Sequence, residues 1–256
     1  MESRKEFTVG RAFSRGVHTW IRHFAAFVLL ALIVYAPLWI WGGLVAQGEI
    51  TTTWLQRTEL FTAASIPLSL TLNAILAGVV APAVVQHLEG RPIAFTECIR
   101  AGFTRIGAVL GATLLFAVWT AVAGFFLFIP GVIVYCVYII ASPVAAIEST
   151  SVAGALTRSL VLTRGRRWRV FGLLLLVGGG GRFVTAVIVT LLKPEPGVPI
   201  GDLASVANQL RVAHYVELAA MPLVASLYAV SIAVMYVQLR ANKDGLQVSE
   251  YTRTFE

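Results

Sequence analysis

Arg182 follows four consecutive glycines, residues 178–181, inside a long apolar stretch of the sequence. A guanidinium in apolar surroundings needs a carboxylate, a phosphate or another acceptor for its hydrogen bonds. Glu217, near one end of a later apolar stretch, is the acidic candidate partner, and Asn73 in an earlier stretch can hydrogen-bond to a neighbouring helix. These three residues are the candidate polar site within the apolar segments.

No other pattern in the sequence indicates catalysis. The chain contains no Gly-rich phosphate loop followed by Lys-Ser or Lys-Thr, no His-Glu-x-x-His and no Gly-x-Ser-x-Gly. The four histidines fall near predicted helix ends, and Cys98 and Cys136 have neither metal-ligand spacing nor a predicted disulfide. We therefore predict that the protein is not an enzyme, has no catalytic residue and binds no metal or cofactor.

The composition is typical of a membrane protein. Hydrophobic residues make up 57% of the 256 residues and charged residues only 13%, whereas soluble domains carry roughly 25% charged residues. The apolar residues form six continuous blocks, and crossing a bilayer takes about 20 residues of helix. Because barrel strands would alternate instead, we predict an all-α integral membrane protein with six transmembrane helices. The blocks are residues 24–46, 62–86, 106–128, 131–147, 170–192 and 216–239.

The glycine run and Arg182 lie in the middle of the fifth block, where both are unfavourable. Each glycine weakens a helix by about 1 kcal/mol relative to alanine, and a mid-membrane arginine costs roughly 2.5 kcal/mol or more. One hypothesis is a helix break or close contact that places Arg182 in a polar cavity, touching an anionic lipid or substrate. The other, preferred from sequence alone, is close helix packing at the glycines, with Arg182 paired internally or extended to the interface. Glu217 and Arg182 differ in depth if both helices are regular.

Lysines and arginines are distributed unequally between the two sides of the predicted bundle. Sixteen of the twenty precede the first block or lie in the second and fourth connections or the C-terminal tail, and three lie on the other side. Because basic residues mark the cytoplasmic side, we predict a multi-pass protein of the cell (inner) membrane with both termini in the cytoplasm. No nucleic-acid motif accompanies these residues, so anionic lipid headgroups and not nucleic acid are the predicted partner.

Basic amphipathic segments recur before the membrane blocks. Residues 12–16, 97–101 and 155–159 each place an arginine after a small or polar residue and an apolar one. We predict a single domain of three units, each an interfacial amphipathic helix at the cytoplasmic leaflet followed by a transmembrane hairpin. In the second unit, Ile129-Pro130-Gly131 predicts the tight turn of the hairpin. The units are residues 7–88, 90–148 and 149–240, with a tail at 241–256.

The arginines of these segments are predicted to contact lipid phosphates, while aromatic and aliphatic side chains face the bilayer. Glu148 lies where the fourth block meets the cytoplasm. It either pairs with Arg158 or Arg164 and so holds the third amphipathic helix down, or stays solvated at the level of the headgroups. The predicted headgroup contacts are Arg11, Arg15, Arg22, Arg100, Arg105, Arg158, Arg164, Arg166, Arg167 and Arg169.

Several stretches together resemble a known family. They are LFIPGV at residues 127–132, AAIE at 145–148, ALTRSLVLTRGRRWRV at 155–170, YVQLR at 236–240 and KDGL at 243–246. The sequence resembles the membrane domain attached to some bacterial glycerophosphodiester phosphodiesterases, and its stand-alone relatives. The resemblance implies a six-helix protein of a prokaryotic cell membrane. It implies no esterase activity, because the catalytic barrel of the fused enzymes has no counterpart in this sequence.

Three hypotheses for function follow. The first is a non-enzymatic membrane protein that organises or senses lipids, or docks partner proteins, at the cytoplasmic leaflet. The alternative is a transporter, channel or scramblase for a lipid-like or anionic molecule, with Arg182 lining the path. An enzyme acting on lipid headgroups ranks last, because no nucleophile–base pair is visible. A cavity that reaches Arg182 favours transport, and solid packing around Arg182 favours the first hypothesis.

Overall fold

The structure is a computed structural model that describes residues 8–46, 52–126, 128–148, 151–191 and 203–244. All regular secondary structure in these ranges is helical, which confirms the predicted all-α class. The helices are α1 (Val9–Arg22), α2 (Phe24–Ala46), α3 (Thr52–Leu88), α4 (Phe95–Thr104), α5 (Ile106–Phe126), α6 (Phe128–Tyr138), α7 (Ala141–Ile147), α8 (Val152–Thr163), α9 (Arg167–Leu174), α10 (Gly180–Leu191) and α11 (Leu203–Asp244), with a π-helical turn at Leu175–Gly179.

Five helical stretches in the described ranges are long and apolar enough to cross a membrane. They are Phe24–Val45, Thr71–Leu88, Ile129–Ile147, Arg167–Leu191 and Arg211–Asp244. The predicted third block, residues 106–128, falls on α5, of which Ile106–Thr120 is a shorter apolar stretch. The helical architecture is therefore that of a membrane protein.

The turn predicted at Ile129-Pro130-Gly131 is wrong in position. All three residues are helical, because α6 begins at Phe128. Proline is tolerated there since the first N–H groups of a helix have no intrahelical acceptor and the ring fixes a helical φ.

α5 runs antiparallel to the segment formed by α6 and α7. Arg105, directly before α5, donates hydrogen bonds to the carbonyls of Ala146 and Ile147 at the end of α7. Farther along α5, the ring of Phe116 contacts that of Tyr135 with their centroids 5.4 Å apart. Residue numbers rise along α5 while those of its contacts fall, so the two segments point in opposite directions.

α11 forms the centre of the bundle. Its residues 229–239 are buried, and it packs against α1, α2, α3 and α10. The indole N–H of Trp20 donates to the Ser226 hydroxyl at 2.9 Å, and that of Trp39 donates to the Leu218 carbonyl at 2.9 Å. The peripheral helices α2 and α10 expose many large apolar side chains, as helices that face lipid do.

α1 and the residue that follows it contact α9, α11 and α3. Its first residue, Val9, contacts α9, whereas Gly16 packs on Ser231 of α11. Beyond its end, the ring of His23 contacts that of His87 near the end of α3. Its 14 residues make a helix about 21 Å long.

A face of small residues, which the sequence analysis did not identify, attaches α1 to the bundle. Ala12, Gly16 and Thr19 are buried there, between the arginine face and the aromatic face of the helix. A Cβ atom on Gly16 would lie 3.0 Å from the Ser231 hydroxyl oxygen. Small residues one helical turn apart let two helix backbones approach closely, so this face fixes α1 against α11.

α8 repeats the small-residue face of α1. In α8 the buried residues Ala155 and Ser159 lie three residues before and one residue after Arg158. In α1, Ala12 and Gly16 have the same spacing around Arg15. The Ser159 hydroxyl donates to a carbonyl of α6 at 2.6 Å. The first and third amphipathic segments thus use equivalent positions to pack on the bundle.

α4 packs in another way. Its buried residues Cys98 and Gly102 lie two residues before and two residues after Arg100. In α1 and α8 the buried residues lie three residues before and one residue after the arginine. The Cys98 thiol donates to the Gln86 side-chain oxygen at 3.4 Å, and a Cβ atom on Gly102 would lie 2.6 Å from a Val79 methyl group. α4 therefore folds back against the last turns of α3, so the three segments predicted as equivalent pack in two different ways.

Candidate functional site

A cavity of about 630 Å³ lies between α2, α3, α6, α9, the π turn, α10 and α11. Arg182, Glu217 and Asn73, the candidate polar residues of three separate apolar blocks, all line it. We call it the Arg182 cavity. Its other polar lining side chains among the described residues are Tyr35, Ser65, Ser69, Tyr135, Thr185 and Tyr228. The rest of its wall is mostly apolar, as in many sites for small amphiphilic ligands.

The π-helical turn and the glycines position Arg182 in this wall. The turn Leu175–Gly179 contains one extra residue, which rotates the following helix by about 100° relative to an uninterrupted α-helix. Two glycines bring this segment against α11: a Cβ atom on Gly178 would lie 3.3 Å from the Tyr228 ring, and one on Gly181 would lie 2.8 Å from a Val224 methyl group. The glycines therefore serve close packing, and the break directs Arg182 into a cavity.

Arg182 and Glu217 line the same cavity but do not form an ion pair with each other. Among the described residues, neither side chain makes a hydrogen bond or an ion pair. Gly181 lies level with Val224, and Glu217 is seven residues, or about 10 Å, farther along α11. Arg182 itself lies about 20 Å along the helix from Arg169, which is well inside the stretch Arg167–Leu191.

A second, smaller cavity of about 90 Å³ adjoins the first. Asn73, Tyr135 and Tyr228 line both cavities, and the hydroxyls of the two tyrosines hydrogen-bond to each other between them. The hydroxyl oxygens of Thr113 and Ser142 are buried in the small cavity and make no hydrogen bond with a described residue. The tyrosine pair therefore separates two compartments that both carry neutral polar groups.

The small cavity lies toward the arginine-rich end of the bundle, the end that carries Arg105, Arg158, Arg169 and Arg240. Along α11 the small cavity is lined by residues 228, 229 and 232, whereas the Arg182 cavity is lined by residues between 217 and 228. Asn73 adds a polar group at the junction, where its amide N–H also donates to the Ser69 carbonyl at 2.9 Å. The two cavities are thus arranged one after the other along the bundle.

The arginine-rich end holds a group of paired charges that we call the ionic cluster: Glu148, Arg158, Tyr236, Arg240 and Asp244. The Arg158 Nε lies 3.0 Å from a Glu148 oxygen, and the Tyr236 hydroxyl donates to Glu148 at 2.9 Å. Arg158 also pairs with Asp244. Burial by itself would lower the pKa of Arg158, but hydrogen bonds and attraction to Asp244 and Glu148 raise that pKa above its ordinary value. The structure thus brings together Glu148 and Arg158, the pair predicted from sequence.

The other arginines predicted at lipid headgroups fall into two groups. Arg105 is directed inward, since it caps the carbonyls at the end of α7. Arg15 and Arg166 are partly buried, and burial together with the nearby Arg11 charge lowers the pKa of Arg15. The exposed ones are Arg11, Arg22, Arg100, Arg164, Arg167 and Arg169.

Several polar residues of the two cavities were not part of the predicted site, among them Tyr135, Tyr228, Thr113 and Ser142. Each is a neutral polar side chain inside an apolar block, which is common in membrane helices. Only the meeting of four helices at one point distinguishes them, and a linear sequence does not contain that information.

In the described ranges no group of three or more His, Cys, Asp or Glu side chains is arranged to hold a metal ion. Comparison with protein-family models, curated proteins and solved structures finds no match for this chain.

Proposed function

We propose that this protein binds a phosphate-bearing amphiphile in the Arg182 cavity and moves its polar part across the membrane. The observation that carries the proposal is the guanidinium of Arg182, an exposed residue with no partner among the described residues, in the wall of a cavity of about 630 Å³. Ligand sites typically measure about 300–1,000 Å³. The proposal favours the transport hypothesis, because a protein that only organises a leaflet needs no such cavity within its bundle.

The chemistry of the cavity suits a lipid phosphate. A guanidinium donates two parallel hydrogen bonds to a phosphate and is more weakly hydrated than an ammonium. The apolar wall, which includes Leu174, Leu175 and Met221, accommodates an acyl chain beside the phosphate. Within a stretch that crosses a membrane, an arginine without a partner is unfavourable until an anion joins it, so the ligand supplies a partner that the described residues do not.

The membrane arrangement that accompanies this function is a six-span bundle of three hairpins with both termini on the cytoplasmic side of a prokaryotic cell membrane. The antiparallel packing of α5 on α6 and α7 supports the second hairpin. The exposure of Arg11 and Arg22 on α1 supports an interfacial helix. The excess of basic residues at one end supports the orientation.

The two cavities provide a route for the polar headgroup. The headgroup passes from the Arg182 cavity to the small cavity when the hydrogen bond between Tyr135 and Tyr228 opens. Thr113 and Ser142 then offer hydroxyls on the side of the arginine-rich end. No covalent chemistry is needed in this process, so the protein acts as a non-enzymatic lipid transporter or scramblase.

Reconstitution into liposomes tests the proposal. Purified protein is placed in vesicles that contain a phosphatidylglycerol labelled on its acyl chain, and a membrane-impermeant quencher reports how fast labelled lipid leaves the inner leaflet. We expect the wild type to exceed protein-free vesicles and Arg182→Gln to lower the rate at least tenfold. The matched control is Arg91→Gln, an exposed arginine between α3 and α4. A wild-type rate equal to that of empty vesicles refutes the proposal.

A second candidate function, organisation of anionic lipid around the protein, is favoured by the exposed side chains of α1. Arg11 and Arg22 are exposed on one face, and Ile21 is 61% exposed on another. We expect nanodisc-embedded wild type to retain more phosphatidylglycerol on purification than an Arg11→Gln/Arg22→Gln variant. Equal retention by the two proteins, as measured by mass spectrometry, contradicts this second function and leaves transport unaffected.

A further inference from the structure

We infer that the ligand of the Arg182 cavity is a zwitterion with a phosphate and a primary ammonium group, as in a phosphoethanolamine headgroup. The inference rests on the proposed function and adds the charge pattern of the ligand. It is carried by two opposite charges that line one cavity, Arg182 and Glu217, and that have no partner among the described residues.

The two charges are too far apart to neutralise each other directly. No nitrogen of Arg182 lies within 4.0 Å of an oxygen of Glu217, and their helical positions are separated by about 10 Å along the bundle. A ligand that places an anionic and a cationic group a few bonds apart can bridge this gap. Its phosphate binds Arg182 and its ammonium binds Glu217.

The balance of charge favours a zwitterion over a ligand with an anion alone. Among the described lining residues, Arg182 and Glu217 are the only charged ones, so the described part of the wall carries no net charge. A purely anionic headgroup would satisfy Arg182 but leave the Glu217 carboxylate without a counter-ion and repelled by the phosphate. A zwitterionic headgroup satisfies both side chains and leaves no net charge in the cavity.

The type of cation follows from the acceptor that receives it. A primary ammonium offers three N–H donors, and the two oxygens of a carboxylate accept them well. A trimethylammonium group, by contrast, has no N–H donor and is bound mainly by cages of aromatic faces. Glu217 is the anionic group in the described wall and offers both its oxygens to a primary ammonium, which is the basis for this choice. Because the rings of Tyr35, Tyr135, Phe171 and Tyr228 also line the cavity, phosphatidylcholine is the comparison that tests it.

The apolar surroundings indicate that the zwitterion is attached to a lipid. Leu174, Leu175 and Met221 line the cavity, and the neighbouring α10 exposes Phe183, Val184 and Leu191 toward the lipid side. A soluble phosphoethanolamine would leave these surfaces without a partner. Competition by the soluble compound separates the two sources of the same headgroup chemistry.

The experiment compares lipids labelled on the acyl chain in the vesicle assay: phosphatidylethanolamine, phosphatidylcholine and phosphatidylglycerol. We expect the ethanolamine lipid to move fastest in the wild type. Glu217→Gln lowers the ratio of the ethanolamine rate to the glycerol rate about tenfold, and Arg182→Gln slows both lipids. The control Glu97→Gln, an exposed carboxylate of α4, leaves the ratio at the wild-type value.

The outcomes separate the inference from the function on which it rests. If Glu217→Gln leaves the ratio of the two rates unchanged, the zwitterion inference fails although transport stands. If Arg182→Gln slows neither lipid, the proposed function itself fails. Inhibition by millimolar soluble phosphoethanolamine would overturn the lipid assignment. Where Glu217→Gln does not fold, Glu217→Asp and the lipid retained by the wild type in native mass spectrometry answer the same question.

Discussion

The Arg182 cavity and the ionic cluster contain the same kinds of side chain in opposite states. In the ionic cluster, Arg158 and Glu148 lie 3.0 Å apart and Tyr236 adds a hydrogen bond to the carboxylate. In the cavity, Arg182 and Glu217 face a common space without meeting. Residue type therefore does not reveal whether a charge supports the fold or serves a ligand.

The difference lies in whether the chain supplies its own partner. A buried charge that loses its partner destabilises a protein strongly, and the ionic cluster avoids this by joining α7, α8 and α11. Arg182 and Glu217 line a cavity and have no partner among the described residues, which is a cost to the fold that a ligand can remove on binding. Unpaired charges around a space thus indicate a binding site more clearly than charged residues alone.

The largest effect that sharpens this comparison is expected from Glu148→Ala. The substitution removes an acceptor from both Arg158 and Tyr236, and we expect a loss of about 2–3 kcal/mol of stability because the site is only partly exposed. Thermal unfolding in detergent measures it. The matched control is Glu89→Ala, which removes an exposed ion pair with Arg91 and is expected to cost less than about 1 kcal/mol. Equal losses in the two variants would show that the cluster does not support the fold.

Arg182→Leu is expected to act in the opposite way. Without added lipid, we expect its stability to equal or exceed that of the wild type, because an unpaired charge is removed from apolar surroundings. At ten times its Kd, a bound lipid stabilises the wild type by about 1.4 kcal/mol, and this gain disappears in the variant. Unfolding curves with and without ethanolamine lipid measure both effects. A variant less stable than the wild type in the absence of lipid contradicts the assignment.

Tyr135→Phe breaks the hydrogen bond between the two cavities. We expect a loss of about 1 kcal/mol in stability and a rise in the transport rate of up to about fivefold, because the barrier loses an interaction of that size. The vesicle assay and thermal unfolding measure the two quantities. Tyr138→Phe is the control, since Tyr138 lines the small cavity and its hydroxyl has no hydrogen bond to a described residue. Slower transport in Tyr135→Phe would argue that the pair binds the headgroup and does not block it.

The smallest effect concerns His23, a charge site that is neither paired with a carboxylate nor open to a cavity. Burial and the adjacent Arg22 charge lower the pKa of His23 below its ordinary value of 6.5. Because the pKa is lower in the folded protein, the stability contributed by neutral His23 is present above pH 6.5 and decreases as the pH falls through the folded value. The unfolding temperature should therefore fall slightly more between pH 7 and pH 5 in the wild type than in His23→Gln. Identical pH profiles would remove His23 as the cause.

Part of the site was predictable because it depends on local chemistry. The glycine run beside Arg182 stands out as an unfavourable choice within an apolar block, and Glu148 and Arg158 are close enough in sequence to pair. The small-residue face of α1 was also readable in principle, since Ala12 and Gly16 are one helical turn apart. The small-residue face was not predicted because the aromatic and basic faces by themselves explain the amphipathic pattern of α1.

The sequence by itself determined that this is a helical membrane protein, which stretches are apolar, and which charges are costly in them. Those properties follow from the composition and from spacing along one helix. Only the tertiary structure decided that Arg182, Glu217 and Asn73 share a cavity while Arg158 finds Glu148 and Asp244. The physical reason is that pairing depends on how helices rotate and slide against one another, and a single π-helical turn at Leu175–Gly179 redirects every side chain that follows it.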